Sequence, residues 1–86
     1  MKAFVLLKIT SDQAGEAYRA LKKLKSVTES CMTFGRYDAV VIINAESLEE
    51  IRRITLSEIQ PIPGITEILT CLAVEDEARL NNPLHS

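Results

Sequence analysis

The apolar residues of this chain form four short, mostly β-branched runs, separated by two stretches in which they recur at helical spacing. Such runs are typical of buried strands, and such stretches are typical of amphipathic helices. We predict helices over residues 13–24 and 47–59 and strands over residues 2–9, 27–34, 38–44 and 65–74.

Each predicted helix has start signals and one apolar side. Thr10, Ser11 and Asp12 offer N-cap side chains to the first helix, and Ser47 with Glu50 forms a capping box for the second. The predicted buried positions are Ala14, Ala17, Leu21 and Leu24 in the first helix and Leu48, Ile51, Thr55 and Ile59 in the second.

The order βαββαβ is accompanied by a weak internal repeat, in which residues 3–7 correspond to residues 39–43. Two interleaved βαβ units build a ferredoxin-like α+β sandwich, a four-stranded antiparallel sheet with both helices on one face. The first and third strands are then central, and the other two are edges. We expect residues 1–75 to form this domain and residues 76–86 to form a polar C-terminal tail.

The two central strands carry apolar side chains on both of their faces. The first offers Phe4 and Leu6 to one side and Val5 and Leu7 to the other, so no face of the sheet is polar. An exposed apolar patch of roughly 500 Å² is larger than most monomers tolerate. Covering it stabilises a pair of chains by about 25 kcal/mol, against an association cost of about 4–15 kcal/mol. We predict an obligate homodimer, a dimeric α/β barrel.

Charge and length exclude several functions. The 86 residues carry a net charge of -2, so no basic field is present to bind nucleic acid or an anionic membrane. The apolar run at the N-terminus is too short for a signal peptide or a membrane span, and we predict a cytoplasmic protein. Cys31 and Cys71 lie in predicted edge strands, where we interpret them as buried small hydrophobes rather than a disulfide or a metal site.

The sequence holds little catalytic chemistry. Its one histidine, His85, lies next to the C-terminal residue, and no phosphate-binding loop, nucleophile elbow or spaced set of metal ligands occurs. We predict a protein that is not an enzyme and that uses no cofactor or metal. The alternative is a cofactor-free enzyme of the dimeric α/β-barrel type, which would need polar groups that these aliphatic strands do not supply.

Polar groups are concentrated in the turn Gly35-Arg36-Tyr37-Asp38, between the second and third strands. Gly35 permits a positive φ, and the Asp38 carboxylate can accept hydrogen bonds from nearby backbone N–H groups. The turn could bind a small polar ligand, or it could be a well-made hairpin turn. The residues alone favour the second interpretation.

Four features, in this order, resemble the effector-binding half of the Lrp/AsnC feast/famine regulators, known as the RAM domain. They are Lys2-Ala3-Phe4-Val5-Leu6, the turn Gly35-x-Tyr37-Asp38, Ser47-Leu48-Glu49-Glu50 and Ile62-Pro63-Gly64-Ile65. The resemblance implies small effectors, usually amino acids, that bind where dimers meet in a ring, commonly an octamer of four dimers. An ACT-like regulatory module is a third possibility with the same fold class and ligand type.

The resemblance also implies roles for the turn of one dimer, facing the last strand of another. Gly35 and Arg36 would offer backbone N–H groups to the effector carboxylate, and Asp38 would hold its ammonium. Tyr37 would shape the pocket.

Two departures from the family pattern change what the resemblance implies. On the last strand many members carry Thr-x-Thr; here Ile68 stands at the first position and Thr70 at the second, which implies a more apolar effector side chain or a weaker site. Family regulators also carry a helix-turn-helix ahead of this domain, whereas this chain begins at the first strand. We therefore expect a stand-alone module without direct DNA binding. It would act on transcription or metabolism indirectly, including by co-assembly with a full-length regulator.

Overall fold

Strands and helices alternate in the predicted order along residues 1–74, the part of the chain that the computed structural model describes. The elements are β1 (Lys2–Ile9), α1 (Ala14–Lys23), β2 (Val27–Met32), β3 (Ala39–Asn44), α2 (Leu48–Ile54) and β4 (Ile65–Leu72). The antiparallel sheet has the order β2-β3-β1-β4, so β1 and β3 are central. The predicted ferredoxin-like α+β fold is confirmed. The expected tail, residues 76–86, lies outside the described residues.

The alternation along β1 and β3 decides which face the helices cover. In β1, Ala3, Val5 and Leu7 are fully buried, whereas the residues between them are half-buried. The helices pack on this side and complete one aliphatic core, in which no polar side chain of the described residues is buried. The helical contributors are Ala17, Leu21, Ile51, Ile54 and Ile59.

The approach to α1 differs from the prediction. Ser11–Gln13 form a 3-10 turn that leads into the helix, and the predicted N-cap side chains make no capping bond at either start. The Gln13 amide instead donates to the Thr10 carbonyl oxygen at 3.1 Å. The prediction of a side-chain cap was wrong because a backbone turn supplies an acceptor there.

Helix α2 begins as predicted but buries a different set of residues. The Ser47 hydroxyl accepts from the Glu50 amide at 3.2 Å, as the capping signature indicates. Leu48 is 46% exposed, so its predicted burial was wrong, and Ile54 is buried instead. The segment Thr55–Ile59 continues α2 as a π-helical turn, with the Gln60 amide donating to the Thr55 carbonyl at 2.9 Å.

We expect Ser47→Ala to lower the free energy of unfolding by about 1 kcal/mol, because the Glu50 amide loses its acceptor at the start of α2. Urea titration followed by circular dichroism measures this. Ser57→Ala, at an exposed position of the π-helical turn, is the matched control and should change stability by less than about 0.5 kcal/mol. Equal effects of the two substitutions would contradict the capping role.

The sheet face that the helices leave uncovered is apolar, as predicted. Leu6 lies between Val40 and Leu69 in the register, and Phe4 lies between Ile42 and Cys71. Residues directly opposite one another in antiparallel strands share a face. We call the surface formed by these residues and Cys31 the open face.

The two cysteines were predicted to be buried, and this prediction was wrong. Cys31 and Cys71 are both exposed, and both are free thiols. They lie on the outer strands of the sheet, and each is paired with an open-face residue of a central strand, Val40 and Phe4 respectively. Within one chain their side chains meet solvent because no described element covers that face.

Candidate functional site

The turn between β2 and β3 is held at its base by two hydrogen bonds. The Thr33 amide donates to the Asp38 carbonyl at 3.0 Å, and the Thr33 hydroxyl donates to the Tyr37 carbonyl at 2.7 Å. Gly35 has a φ of 124°, which favours glycine, and both Gly35 and Arg36 are exposed. The turn therefore presents its backbone to solvent while its two ends are fixed.

Asp38 fastens the turn to the central strand β1. Its carboxylate Oδ2 accepts from the Ile9 amide at 2.8 Å, and its own amide donates to the Leu7 carbonyl at 2.8 Å. One carboxylate oxygen thus replaces a strand carbonyl just ahead of the start of β3. Sequence reasoning expected Asp38 to bind backbone N–H groups close by in the chain, whereas the N–H group that it binds is 29 positions away.

Tyr37 reaches from the turn across the sheet to β4. Its hydroxyl donates to Glu67 Oε2 at 3.0 Å, and the Arg36 guanidinium lies 5.8 Å from the centre of its ring. Lys8 is the cross-strand partner of Glu67, so charged side chains from β1 and β4 lie at this end of the open face. Sequence reasoning missed Lys8 and Glu67, because only the register of β1 against β4 brings them to the turn.

Ile68 and Thr70 lie on the opposite side of β4 from Glu67. Their partners in β1 are Leu7 and Val5, which face the helices. Ile68 is half-buried and packs against the core, while Thr70 is exposed. The structure therefore does not bring these two residues and the turn together within one chain.

Thr70 instead borders a groove between α2 and β4. The groove has a volume of about 330 Å³, and its walls are mostly aliphatic. Leu48, Leu56 and Leu72 are 46%, 56% and 41% exposed along it, and Arg52 is the one charged residue among those of residues 1–74 that line it. A second recess of about 380 Å³ continues past Thr70 to Gln60 and Thr66. We call the first of these the α2–β4 groove.

The size and lining of this groove suit a small ligand with an apolar portion. Ligand sites are typically concave, mainly apolar and supplied with a few polar groups. In the α2–β4 groove those polar groups are the Thr55 and Thr70 hydroxyls and the Arg52 guanidinium. Sequence reasoning identified Thr70, but it placed Leu48 in the core and so missed this wall.

An ion-pair network lies on the outer side of α2. Arg53 hydrogen-bonds Glu50, and its Nη1 lies 3.2 Å from Glu58 Oε2 in the π-helical turn. The hydrogen bond from Arg53 lowers the pKa of Glu50, and the same contact raises the pKa of Arg53. All three side chains are partly open to solvent, so the network links α2 to the π-helical turn with little net stabilisation.

Two further observations concern residues 1–74 only. No three carboxylate, thiol or imidazole side chains of this part of the chain come together in a way that could hold a metal ion. No helix found there is long and apolar enough to cross a bilayer.

The described residues form a ferredoxin-like α+β module with an apolar open face and an exposed polar turn. The chain belongs to the Lrp/AsnC ligand binding domain family, whose profile matches residues 2–80. The resemblance drawn from its four sequence features is thereby confirmed.

Solved structures share this fold. TTHA0845 from Thermus thermophilus is 25% identical, with a TM-score of 0.82 over 87% of this chain and 94% of that one. AsnC of E. coli is 22% identical, with a TM-score of 0.81 over 88% of this chain but only 52% of AsnC. The transcriptional regulator NMB0573 of Neisseria meningitidis, determined as its L-Met complex, is 14% identical, with a TM-score of 0.78 over 88% of this chain and 51% of that one.

A more distant likeness is to an enzyme. The dehydrochlorinase TftG of Burkholderia phenoliruptrix AC1100 is 14% identical, with a TM-score of 0.59 over 88% of this chain and 96% of that one. At this identity the likeness concerns the fold alone. No curated protein sequence matches the chain.

Proposed function

We propose that this protein binds a small amino-acid effector in a pocket formed between copies of the chain, and that it regulates transcription or amino-acid metabolism through that binding. Membership of the Lrp/AsnC ligand binding domain family supports an effector-binding role. The observation that supports a shared pocket is that its two proposed halves lie apart within one chain. The turn at residues 35–38 lies at the end of the open face, whereas Thr70 and the α2–β4 groove lie on the helix side.

The open face supports a homodimer as the basic unit of the assembly. Phe4, Leu6 and Ile42 remain only half-buried in one chain, and Leu69 is 44% exposed. Packing two such faces about a twofold axis removes this apolar area from water.

The two half-sites then define contacts between dimers. Each chain offers one turn and one groove, so a turn-to-groove contact is heterologous and closes when the dimers form a ring. We propose a ring of four dimers, an octamer.

Recognition of the effector follows from the groups on the two half-sites. The backbone N–H groups of Gly35 and Arg36 would bind the effector carboxylate, and the second oxygen of Asp38 would accept from its ammonium. Tyr37 would form the pocket wall on the side of the turn. The side chain of the effector would enter the α2–β4 groove of the neighbouring dimer.

The walls of that groove favour an apolar effector. The exposed leucines of the groove can contact an aliphatic or thioether side chain. In the adjoining recess, Ile68 occupies the position where many family members carry a threonine. The Neisseria regulator of this fold was determined with L-Met, which has such a side chain. We therefore propose an amino acid of the leucine or methionine type.

The same proposal places the protein in the cytoplasm, with a full-length Lrp/AsnC regulator as a further partner through the open face. It includes no direct contact with nucleic acid and no membrane association. A cofactor-free enzyme is the weaker candidate, because the middle of the open face is formed by aliphatic side chains and Phe4, and its charged groups lie at the end near the turn.

A thermal-shift screen of amino acids tests this function. A ligand present at one hundred times its Kd raises the free energy of unfolding by about 2.7 kcal/mol. Leucine, isoleucine or methionine should raise the melting temperature, whereas aspartate and lysine should not. Mass measurement in solution with and without the active amino acid reports the assembly. Absence of a shift with every amino acid would contradict the proposal.

Two substitutions at Asp38 separate its structural role from its proposed ligand role. Asp38→Ala should lower the free energy of unfolding by about 1–2 kcal/mol, because the Ile9 amide loses its acceptor, and should abolish the effector-induced shift. Asp38→Asn keeps an amide oxygen for Ile9 but removes the charge. It should retain most of the stability and still bind the effector at least about tenfold more weakly.

Isothermal titration calorimetry measures the effector affinity, and urea unfolding measures the stability. Asp12→Asn, at an exposed position in the 3-10 turn before α1, serves as the control and should leave both unchanged. Full affinity in Asp38→Asn would show that the ammonium binds elsewhere.

A further inference from the structure

The Tyr37–Glu67 hydrogen bond links the effector turn to a strand that is not adjacent to it. We propose that Glu67 is a positioning residue of the effector site: by holding the Tyr37 phenol, it fixes the tip of the turn in the shape that binds the effector. This inference rests on the proposed function, since it assigns a further residue to the same site. The order of the turn can be measured without any effector.

The turn needs an anchor at its tip because its other bonds lie at its base. Thr33 and Asp38 hold the two ends where β2 and β3 diverge. Gly35 and Arg36, whose N–H groups are the proposed ligands of the carboxylate, lie between these ends and are exposed. Exposed turn residues without tertiary bonds are the most mobile part of a fold, and disorder there weakens binding.

The Tyr37 side chain supplies that anchor. The backbone carbonyl of Tyr37 accepts from the Thr33 hydroxyl at 2.7 Å, and the Tyr37 hydroxyl donates to Glu67 at 3.0 Å. Hydrogen bonds therefore hold both the backbone and the end of the side chain of this residue. The Arg36 guanidinium lies against the same ring, 5.8 Å from its centre. An ordered Tyr37 ring therefore provides a packing surface for the Arg36 side chain, in the exposed part of the turn.

Glu67 is suited to this role by its place in the sheet. It is paired with Lys8 of β1, and Tyr37 follows β2, so its bond to Tyr37 spans the central strands. Ile68, the next residue, packs against the core, and this contact fixes the backbone on which the carboxylate is mounted. A rigid strand thus provides the acceptor for a side chain that comes from a turn.

Effector affinity tests the inference, with L-leucine and L-methionine as probes. Glu67→Ala and Tyr37→Phe should each weaken binding about threefold to tenfold, the equivalent of one net hydrogen bond. The double variant should be no weaker than either single variant, because both remove the same contact. Glu67→Gln keeps a carbonyl acceptor for the phenol and should restore affinity to within about twofold.

Glu16→Ala is the matched control, since Glu16 is an exposed carboxylate on α1 and belongs to neither the turn, the α2–β4 groove nor the open face. It should leave affinity unchanged. Additive losses in the double variant would overturn the inference. A loss in Glu67→Gln as large as that in Glu67→Ala would also overturn it, because the carboxylate charge would then contact the effector directly.

A second measurement separates this inference from the proposed function. Backbone NMR order parameters of Gly35 and Arg36 in the unliganded protein should fall in Glu67→Ala and Tyr37→Phe but not in Glu67→Gln or Glu16→Ala. If no amino acid binds the unchanged protein, the proposed function fails, while the order parameters still decide whether Glu67 fixes the turn. Unchanged order parameters in Glu67→Ala would overturn the positioning role.

Discussion

Leu6→Glu is expected to convert the proposed dimer into monomers. Leu6 occupies the middle of the open face, between Val40 and Leu69, and it points away from the helix-side core. A twofold axis would place two new carboxylates in the sheet-to-sheet interface, and burying an unpaired carboxylate costs several kcal/mol. We expect the dissociation constant of the dimer to rise at least about 1,000-fold. Sedimentation velocity over a concentration series measures it.

The two exposed thiols give an independent readout of the same interface. In a face-to-face dimer Cys31 and Cys71 would be covered, so a thiol reagent should modify them slowly, and faster in Leu6→Glu. Glu49→Lys, at an exposed position of α2, is the control and should leave mass and thiol reactivity unchanged. A monomer at micromolar concentration, with both thiols fully reactive in the unchanged protein, would contradict the dimer.

The second large effect is expected at Gly64, just before β4. Its φ of 99° is rarely adopted by other residues, and an added Cβ would lie 2.5 Å from Cβ of Gln13. That atom is mounted directly on the backbone before α1, so relief requires the chain itself to move. We expect Gly64→Ala to lower the free energy of unfolding by about 2–4 kcal/mol. Equilibrium unfolding in urea measures the loss.

Two other glycines separate strain from collision. Gly35 has a similarly positive φ of 124°, but a Cβ added there meets no heavy atom within 4 Å. Gly35→Ala should therefore lower the free energy of unfolding by about 1 kcal/mol, from strain alone. Gly15→Ala lies within α1 and meets only the Arg19 guanidinium at ordinary distances, so it should stabilise the chain by about 0.5–1 kcal/mol. Similar losses at Gly64 and Gly35 would show that the contact with Gln13 is unimportant.

The fold was predictable from sequence because its strands are short, aliphatic and bounded by clear turn residues. All four strands and both helices lie within two residues of their predicted bounds at each end, except where the π-helical turn ends α2 early at Ile54. The helical stripe correctly predicts that Ile59 is buried, but it does not predict that the last turn is π-helical. Local spacing therefore predicts which side of a helix is apolar better than it predicts how the helix ends.

The errors in predicted burial share one physical cause, which is that burial depends on neighbours distant in sequence. Leu48 belongs to the apolar stripe of α2, but it is 46% exposed because it lines an open groove between α2 and β4. Cys31 and Cys71 have the composition of core residues, yet they face a surface that one chain cannot cover. The periods of helices and strands predict which side of an element is apolar. Whether another element covers that side depends on how the sheet and helices assemble.

The candidate site was predictable only in part for the same reason. The turn at residues 35–38 was identified by its glycine and polar residues, which are local signals. Glu67 was missed because it is 30 residues from Tyr37 in the chain and meets it only when β4 pairs with β1. Whether Thr70 and the turn share a pocket depends on a second chain, which no single sequence pattern describes.

The strict alternation along β1 separates the residues of the monomer core from those that would contact the second chain of the proposed dimer. The core side of β1 is formed by Ala3, Val5 and Leu7, and the open-face side by Phe4 and Leu6. Substitutions on the open-face side should therefore leave the core unchanged. Two variants with opposite charges at these outward positions would reject themselves and accept each other. If the proposed dimer forms, charge reversal on the open face should therefore yield variants that pair only with each other.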